Sequence, residues 1–175
     1  LGCFFRLQMS FWPSFGNQSP RPQLFTAKIK NILLGEIVWQ YVVENGTAYG
    51  ISYYGENQST GLLGEIDLCF NSSTDGREWN PVNPDRQVTY HGGITEVGFG
   101  FDIFGNAWGV GRNEDGDDCG WGSRTFFAPA DDLSAWHWSE DKSDPMIYES
   151  PRVFRHGNEL YLVARTDPDG PFWSV

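Results

Sequence analysis

From residue 36 onwards, apolar and polar residues alternate in short runs broken by glycine and asparagine. Residues 38–43 (Val-Trp-Gln-Tyr-Val-Val) read as a strand with large β-branched and aromatic side chains. Glu44-Asn45-Gly46-Thr47 follows as a turn, and Asn-Gly is the strongest short hairpin signal. Residues 48–54 return as a second strand, and residues 66–70 alternate as a third. Asp75-Gly76 turns the chain again, and Trp79 opens a fourth strand.

The same order then recurs. Residues 97–102, the turn Phe104-Gly105-Asn106 and residues 107–111 predict a hairpin. Residues 121–127 and 135–138 supply the next two strands. Residues 152–154, the turn His156-Gly157-Asn158 and residues 160–164 open a third unit. The turn glycines Gly46, Gly105 and Gly157 stand 59 and 52 residues apart. Trp79 and Trp136 stand 57 apart, as do Asp75 and Asp132. Four strands per 50–60 residues predict an all-β fold built of propeller blades, about three of them. The blades are expected at about 36–85, 92–140 and 147–175, the last incomplete. A β-sandwich is the competing architecture. Propellers close with about four to eight blades, so the remaining blades are expected elsewhere in a longer protein. Residues 1–35 show no repeat and read as an irregular N-terminal segment or linker.

Composition narrows the functional classes. Aromatics form 16% of the chain and there are 21 glycines, which suits short strands and tight turns rather than disorder. The net charge of −11 argues against nucleic acid and anionic membrane surfaces as partners. No apolar run is long enough for a membrane-spanning helix. Cys3, Cys69 and Cys119 show no metal-binding spacing, and one disulfide or free thiols are both open. His91, His137 and His156 have no ligand spacing either, so no metal and no cofactor is expected. Sequons at Asn17, Asn45, Asn57 and Asn71 point to an extracellular or secreted protein, although Asn45 and Asn71 also suit turns.

One polar pattern repeats with the units. Glu96 and Arg112 flank the hairpin centred on Gly105, and Glu149 and Arg165 flank the one centred on Gly157. Both the glutamates and the arginines stand 53 apart. The start of a first strand and the end of a second lie together, so each Glu is expected beside its Arg. In the first unit Tyr53-Tyr54 takes the arginine position. Such groups could line one mouth of a central channel, with Arg holding a carboxylate and Glu acting as general acid or base. They could equally be ion pairs that close each blade. Trp39, Trp108 and Trp121 are expected in the core, with one or two available to stack on a sugar ring.

Ser73-Thr74-Asp75-Gly76-Arg77-Glu78-Trp79 resembles the Asp-box, or BNR repeat, of sialidase-like propellers, one residue shorter. Residues 130–136, with Asp132 and Trp136, resemble a degenerate copy. In that family the boxes are structural, so Ser73, Asp75, Gly76, Trp79, Asp132 and Trp136 are expected to fold turns rather than catalyse. Residues 45–50, 95–101, 110–112 and 149–152 are also similar to this family, over roughly residues 36–172. The resemblance implies an exo-glycosidase acting on terminal sugars. Glu96 and Glu149 are then the candidate catalytic residues, and Arg112, Arg165 and Arg152 the candidate substrate contacts. Phe5-Arg6-Leu7-Gln8 is similar to the family's F/Y-R-I-P motif, with Gln in place of Pro. The family's Tyr nucleophile and Asp acid have no matching position. Glu149-Ser150-Pro151 is also similar to the E-G-P motif of five-bladed arabinanase- and xylosidase-type glycosidases, with Ser for Gly. The alternative is a non-catalytic propeller module that binds glycan or protein.

Overall fold

The computed structural model describes residues 36–55, 66–166 and 173–174. The N-terminal segment with Cys3, Phe5-Arg6 and Asn17, and the sequon at Asn57, lie outside the described residues. The described residues are all-β, with no helix.

Three antiparallel sheets follow one another along the chain. The first runs β1 (Ile37–Glu44), β2 (Thr47–Tyr54), β3 (Ile66–Ser73) and β4 (Asn80–Pro81). A further strand, β5 (Val88–Gly92), pairs with the other end of β3. The second sheet runs β6 (Ile94–Phe101), β7 (Ala107–Asp117), β8 (Gly120–Ala128) and β9 (His137–Trp138). The third runs β10 (Glu149–His156), β11 (Glu159–Thr166) and β12 (Trp173–Ser174).

The hairpins form where the turn residues demand them. Asn45 and Gly46 both adopt positive φ, 49° and 80°, as a two-residue type I′ turn requires. Asn45 is exposed there, whereas Asn71 is buried within β3. The fourth strands are shorter than the alternation predicts. Trp79 precedes β4 rather than starting it, and β9 holds only His137 and Trp138. β5 is unforeseen, because its pairing partner is the half of β3 that β4 leaves open.

The core lies between the first two sheets. Ile51, Leu68 and Phe70 from one meet Val97, Phe99, Phe101 and Phe126 from the other. Phe70 and Phe99 meet edge-on at 5.5 Å. Residues 97–101 (Val-Gly-Phe-Gly-Phe) explain why sheets can stack on both sides of β6. Their large side chains face the first sheet, and the glycine face receives the third. A Cβ on Gly98 would lie 2.7 Å from the backbone C and O of Pro151, so only glycine permits this approach.

The first strands β1, β6 and β10 converge. Gln40 ties all three, donating from Nε2 to Phe99 O and Val153 O, each at 2.9 Å, and accepting from Phe99 N at 3.3 Å. Trp39 Nε1 also reaches Pro151 O at 3.2 Å.

Trp108 and Trp121 correct the expectation of a core role. Both are exposed. Trp108 packs on Phe127 at 4.6 Å and bonds Asp102 through Nε1. Trp39 is half-buried.

Candidate functional site

The polar site begins with bulges. In β6, Thr95 and Glu96 together oppose Arg112, since Ile94 pairs with Asn113 and Val97 with Gly111. In β10, Ser150 and Pro151 together oppose Ala164, between the pairs Glu149–Arg165 and Arg152–Val163. In β1 the irregularity falls at Trp39. All three first strands thus bulge near the same end of their hairpins. A bulge adds an unpaired residue and re-aims side chains, and such bulges recur beside active sites.

These bulges bring the repeated glutamates and arginines into one cluster. Arg112 lies 3.6 Å from Glu96, and Arg165 lies 3.6 Å from Glu149, each within its own hairpin. Arg112 also crosses between sheets to Glu149 Oε1 at 3.1 Å. Its third carboxylate is Glu114 at 3.2 Å. Ser150 joins the two units: its backbone N–H donates to Glu96 at 2.6 Å, and its hydroxyl accepts from Arg165 at 3.0 Å. Ser150 takes φ of 50°, an uncommon left-handed conformation for a non-glycine residue, at the centre of this arrangement. Glu96 and Arg112 are only 12% and 19% exposed, whereas Arg165 keeps 39%.

Arg152 sits apart from these pairs. Its guanidinium stacks 4.2 Å over the Trp39 ring and donates to Pro151 O at 3.0 Å. Burial draws its pKa below the usual guanidinium value, against the opposing pull of Glu96. Tyr53 stands within electrostatic reach of the cluster. Burial first, then Glu96 and Glu114, raise its phenol, while Arg112 pulls the other way.

No protein-family model and no curated protein matches this chain. The reading of the site therefore rests on its own residues.

The Asp-box residues lie elsewhere, in the turns between third and fourth strands. Ser73 Oγ accepts from Gly76 N at 2.9 Å, and Asp75 Oδ1 accepts from Arg77 N and Glu78 N at 2.8 and 2.9 Å. Those backbone donors, Glu78 foremost, hold the Asp75 carboxyl below the usual range. Gly76 supplies φ of 70°, and Trp79 is buried against Tyr41. Asp132 accepts from Ser134 Oγ at 2.6 Å and Ser134 N at 3.1 Å, and Trp136 stacks on Phe126 at 3.8 Å. Each of these groups is engaged in its own turn or core.

Glu114 and Ser150 are members that the repeat did not single out, whereas Tyr53 stands where the repeat of the other two units has arginine. Glu114 stands two residues from Arg112 on one strand and so on one face, a spacing visible in the sequence. Ser150 enters only through the bulge, which no periodicity reveals. Among the described residues no group of His, Cys, Asp or Glu is arranged to hold a metal ion. Cys69 and Cys119 are free thiols. His91 pairs with Asp67 at 2.7 Å near the surface.

A cavity of about 410 Å³ opens at the opposite, turn end of the hairpins, between Glu44, Asn45, Phe104 and Arg155. Its guanidinium is already engaged by Glu44 at 3.4 Å and by Asp102 O at 2.8 Å. The carboxylates that share Arg112 and Arg165 lie at the bulged end.

Proposed function

We propose that the three sheets are successive blades of a β-propeller, and that the Glu96–Arg112–Glu149–Arg165 cluster lines a carbohydrate site at one mouth of its channel. The observation that carries this reading is the cross-sheet pairing of Arg112 with Glu149, which joins the Glu–Arg pairs of adjacent units into one site. Convergence of β1, β6 and β10 through Gln40 fits strands around a common axis. The exposed far face of the third sheet, with Phe154, Tyr161 and Val163, is apolar as an inter-blade face would be, so further blades of the same protein would cover it.

In this reading the protein is a sialidase-like exo-glycosidase. Glu149 and Glu96 serve as the acid and base at a terminal sugar, and Arg112 positions both. Arg165, with its remaining exposure, contacts ligand oxygens, and Arg152 extends the site from its perch on Trp39. A chain carrying the remaining blades should cleave a fluorogenic sialoside or a related exo-glycoside. Glu149→Gln should then lower kcat by roughly 10²–10⁴. A well-folded protein that cleaves nothing across a broad glycoside panel would overturn the hydrolase assignment.

One observation favours a second reading, a module that binds glycan without cleaving it. Arg112 has both terminal nitrogens occupied by carboxylates, so it offers no open fork to a ligand carboxylate. Binding without turnover, lost on Glu149→Gln, would select this reading.

A further inference from the structure

We propose that Trp121 is a sugar-stacking platform beside the Glu–Arg cluster, so that the site takes a disaccharide or longer glycan rather than a single terminal sugar. The inference rests on the carbohydrate reading above and extends it by one ring.

Trp121 is 56% exposed, although an indole is among the costliest side chains to leave in water. It is also held in place. Its ring lies flat on Gly116, where a Cβ would meet three indole atoms at 2.6–2.9 Å. Gly116, Gly120 and Gly122 around it take φ of 71°, 102° and 119°, conformations that other residues rarely adopt. Asp144 O closes against Gly122. Beneath the loop lies Asn113, 1% exposed, whose Nδ2 reaches Asp117 Oδ1, Gly120 O and Ser143 Oγ at 2.8–2.9 Å. Asp117 in turn accepts from Cys119 N at 2.9 Å and from the Tyr90 hydroxyl. A part-buried hydrogen-bond network anchored on Asn113 therefore supports a loop that presents an apolar ring to solvent, which is pre-organisation for a ligand.

Its position identifies the ligand. Arg112 pairs with Ser123 across the ladder, and Trp121 lies two residues, roughly 7 Å, further out along β8. Glu114, bound to Arg112, lies on the strand between them and is exposed. A rigid aromatic face beside carboxylates and a guanidinium matches a pyranose, which offers an apolar C–H face and a rim of hydroxyls.

The test uses the disaccharides α2,3-sialylgalactose, cellobiose, xylobiose and arabinobiose, each beside its constituent monosaccharides, with binding read by calorimetry. For whichever disaccharide unit binds the parent protein, Trp121→Ala should weaken affinity about tenfold, as loss of a stacking contact implies, and Trp121→Phe should restore most of it. Monosaccharide affinity should change less than about twofold. Equal disaccharide affinity in Trp121→Ala, with Glu149→Gln still abolishing binding, overturns the platform and leaves the carbohydrate site standing. Failure of the parent protein to bind any of these sugars overturns both. An unchanged melting midpoint in Trp121→Ala confirms that a loss is local.

Discussion

At the scale of single residues, the same side-chain chemistry is used for folding in one place and for the candidate site in another. Asp75 and Asp132 spend their oxygens on the N–H and O–H donors of their own turns. Asp75→Ala should lower the melting midpoint and leave glycan affinity unchanged, as followed by thermal denaturation and calorimetry. A change in affinity at constant midpoint would move the Asp-box into the site. Cys69 gives a second reading at this scale. It is wholly buried, and burial, reinforced by Glu36 and Asp67, pushes its thiol up to about 12. Iodoacetamide at pH 8 should therefore leave Cys69 unmodified in the native protein and modify it in denaturant, as read by peptide mass spectrometry. The tryptophans show where a residue-scale reading stops. Trp108 and Trp121 are exposed although both sit in β-strand sequence. What decides is whether another element packs over that stretch of sheet.

At the scale of elements, three hairpins were legible because each turn carries its own instruction. Asn45-Gly46, Gly105 and Gly157 all adopt the positive φ that closes a tight reversal. The bulges in β1, β6 and β10 were not legible, since one extra residue in a strand leaves composition and alternation almost unchanged. Yet the bulges are what bring Glu96 to Ser150 and Arg112 to Glu149. The equivalence of Glu96 with Glu149 and Arg112 with Arg165 was visible in spacing alone, but their pairing across sheets needed the packing of β6 on β10. That packing has two dependencies. Gln40→Leu strands two inward carbonyls, Phe99 O and Val153 O, and should cost about 2–3 kcal/mol by chemical denaturation. Gly98→Ala drives a methyl into the Pro151 backbone and should cost about 1–3 kcal/mol. It should also weaken ligand binding, because the displaced strand carries Glu149. Wild-type stability in either variant would contradict the convergence of the first strands.

At the scale of the whole molecule, stability should be bounded on both sides of neutrality. Asp75, Asp102, Asp117 and Asp132 all titrate below the ordinary carboxylate range. For Asp102 and Asp117 burial pulls upward and is outweighed by donated hydrogen bonds, from Asn106 and Trp108 in one and Tyr90 and Asn113 in the other. Their contribution is complete above about pH 4 and is lost as pH falls through the lowered native values. Tyr41 and Cys69 titrate at about 12, each raised first by burial. They favour the native state fully below their unfolded values, about 10 and 9, and this is lost as pH rises towards 12. A melting-midpoint profile should be flat from about pH 5 to 9 and fall on either side. The repeat that predicts blades, the sheets that succeed one another and the cross-sheet ion pair of Arg112 with Glu149 all meet in one proposal, that the Glu–Arg pairs of adjacent units build a glycan site. The direct measurement is glycan-array binding of the parent protein beside the double variant Glu149→Gln with Arg165→Ala. Binding by the parent that disappears in the double variant is the result predicted. Binding that persists unchanged in the double variant contradicts the site.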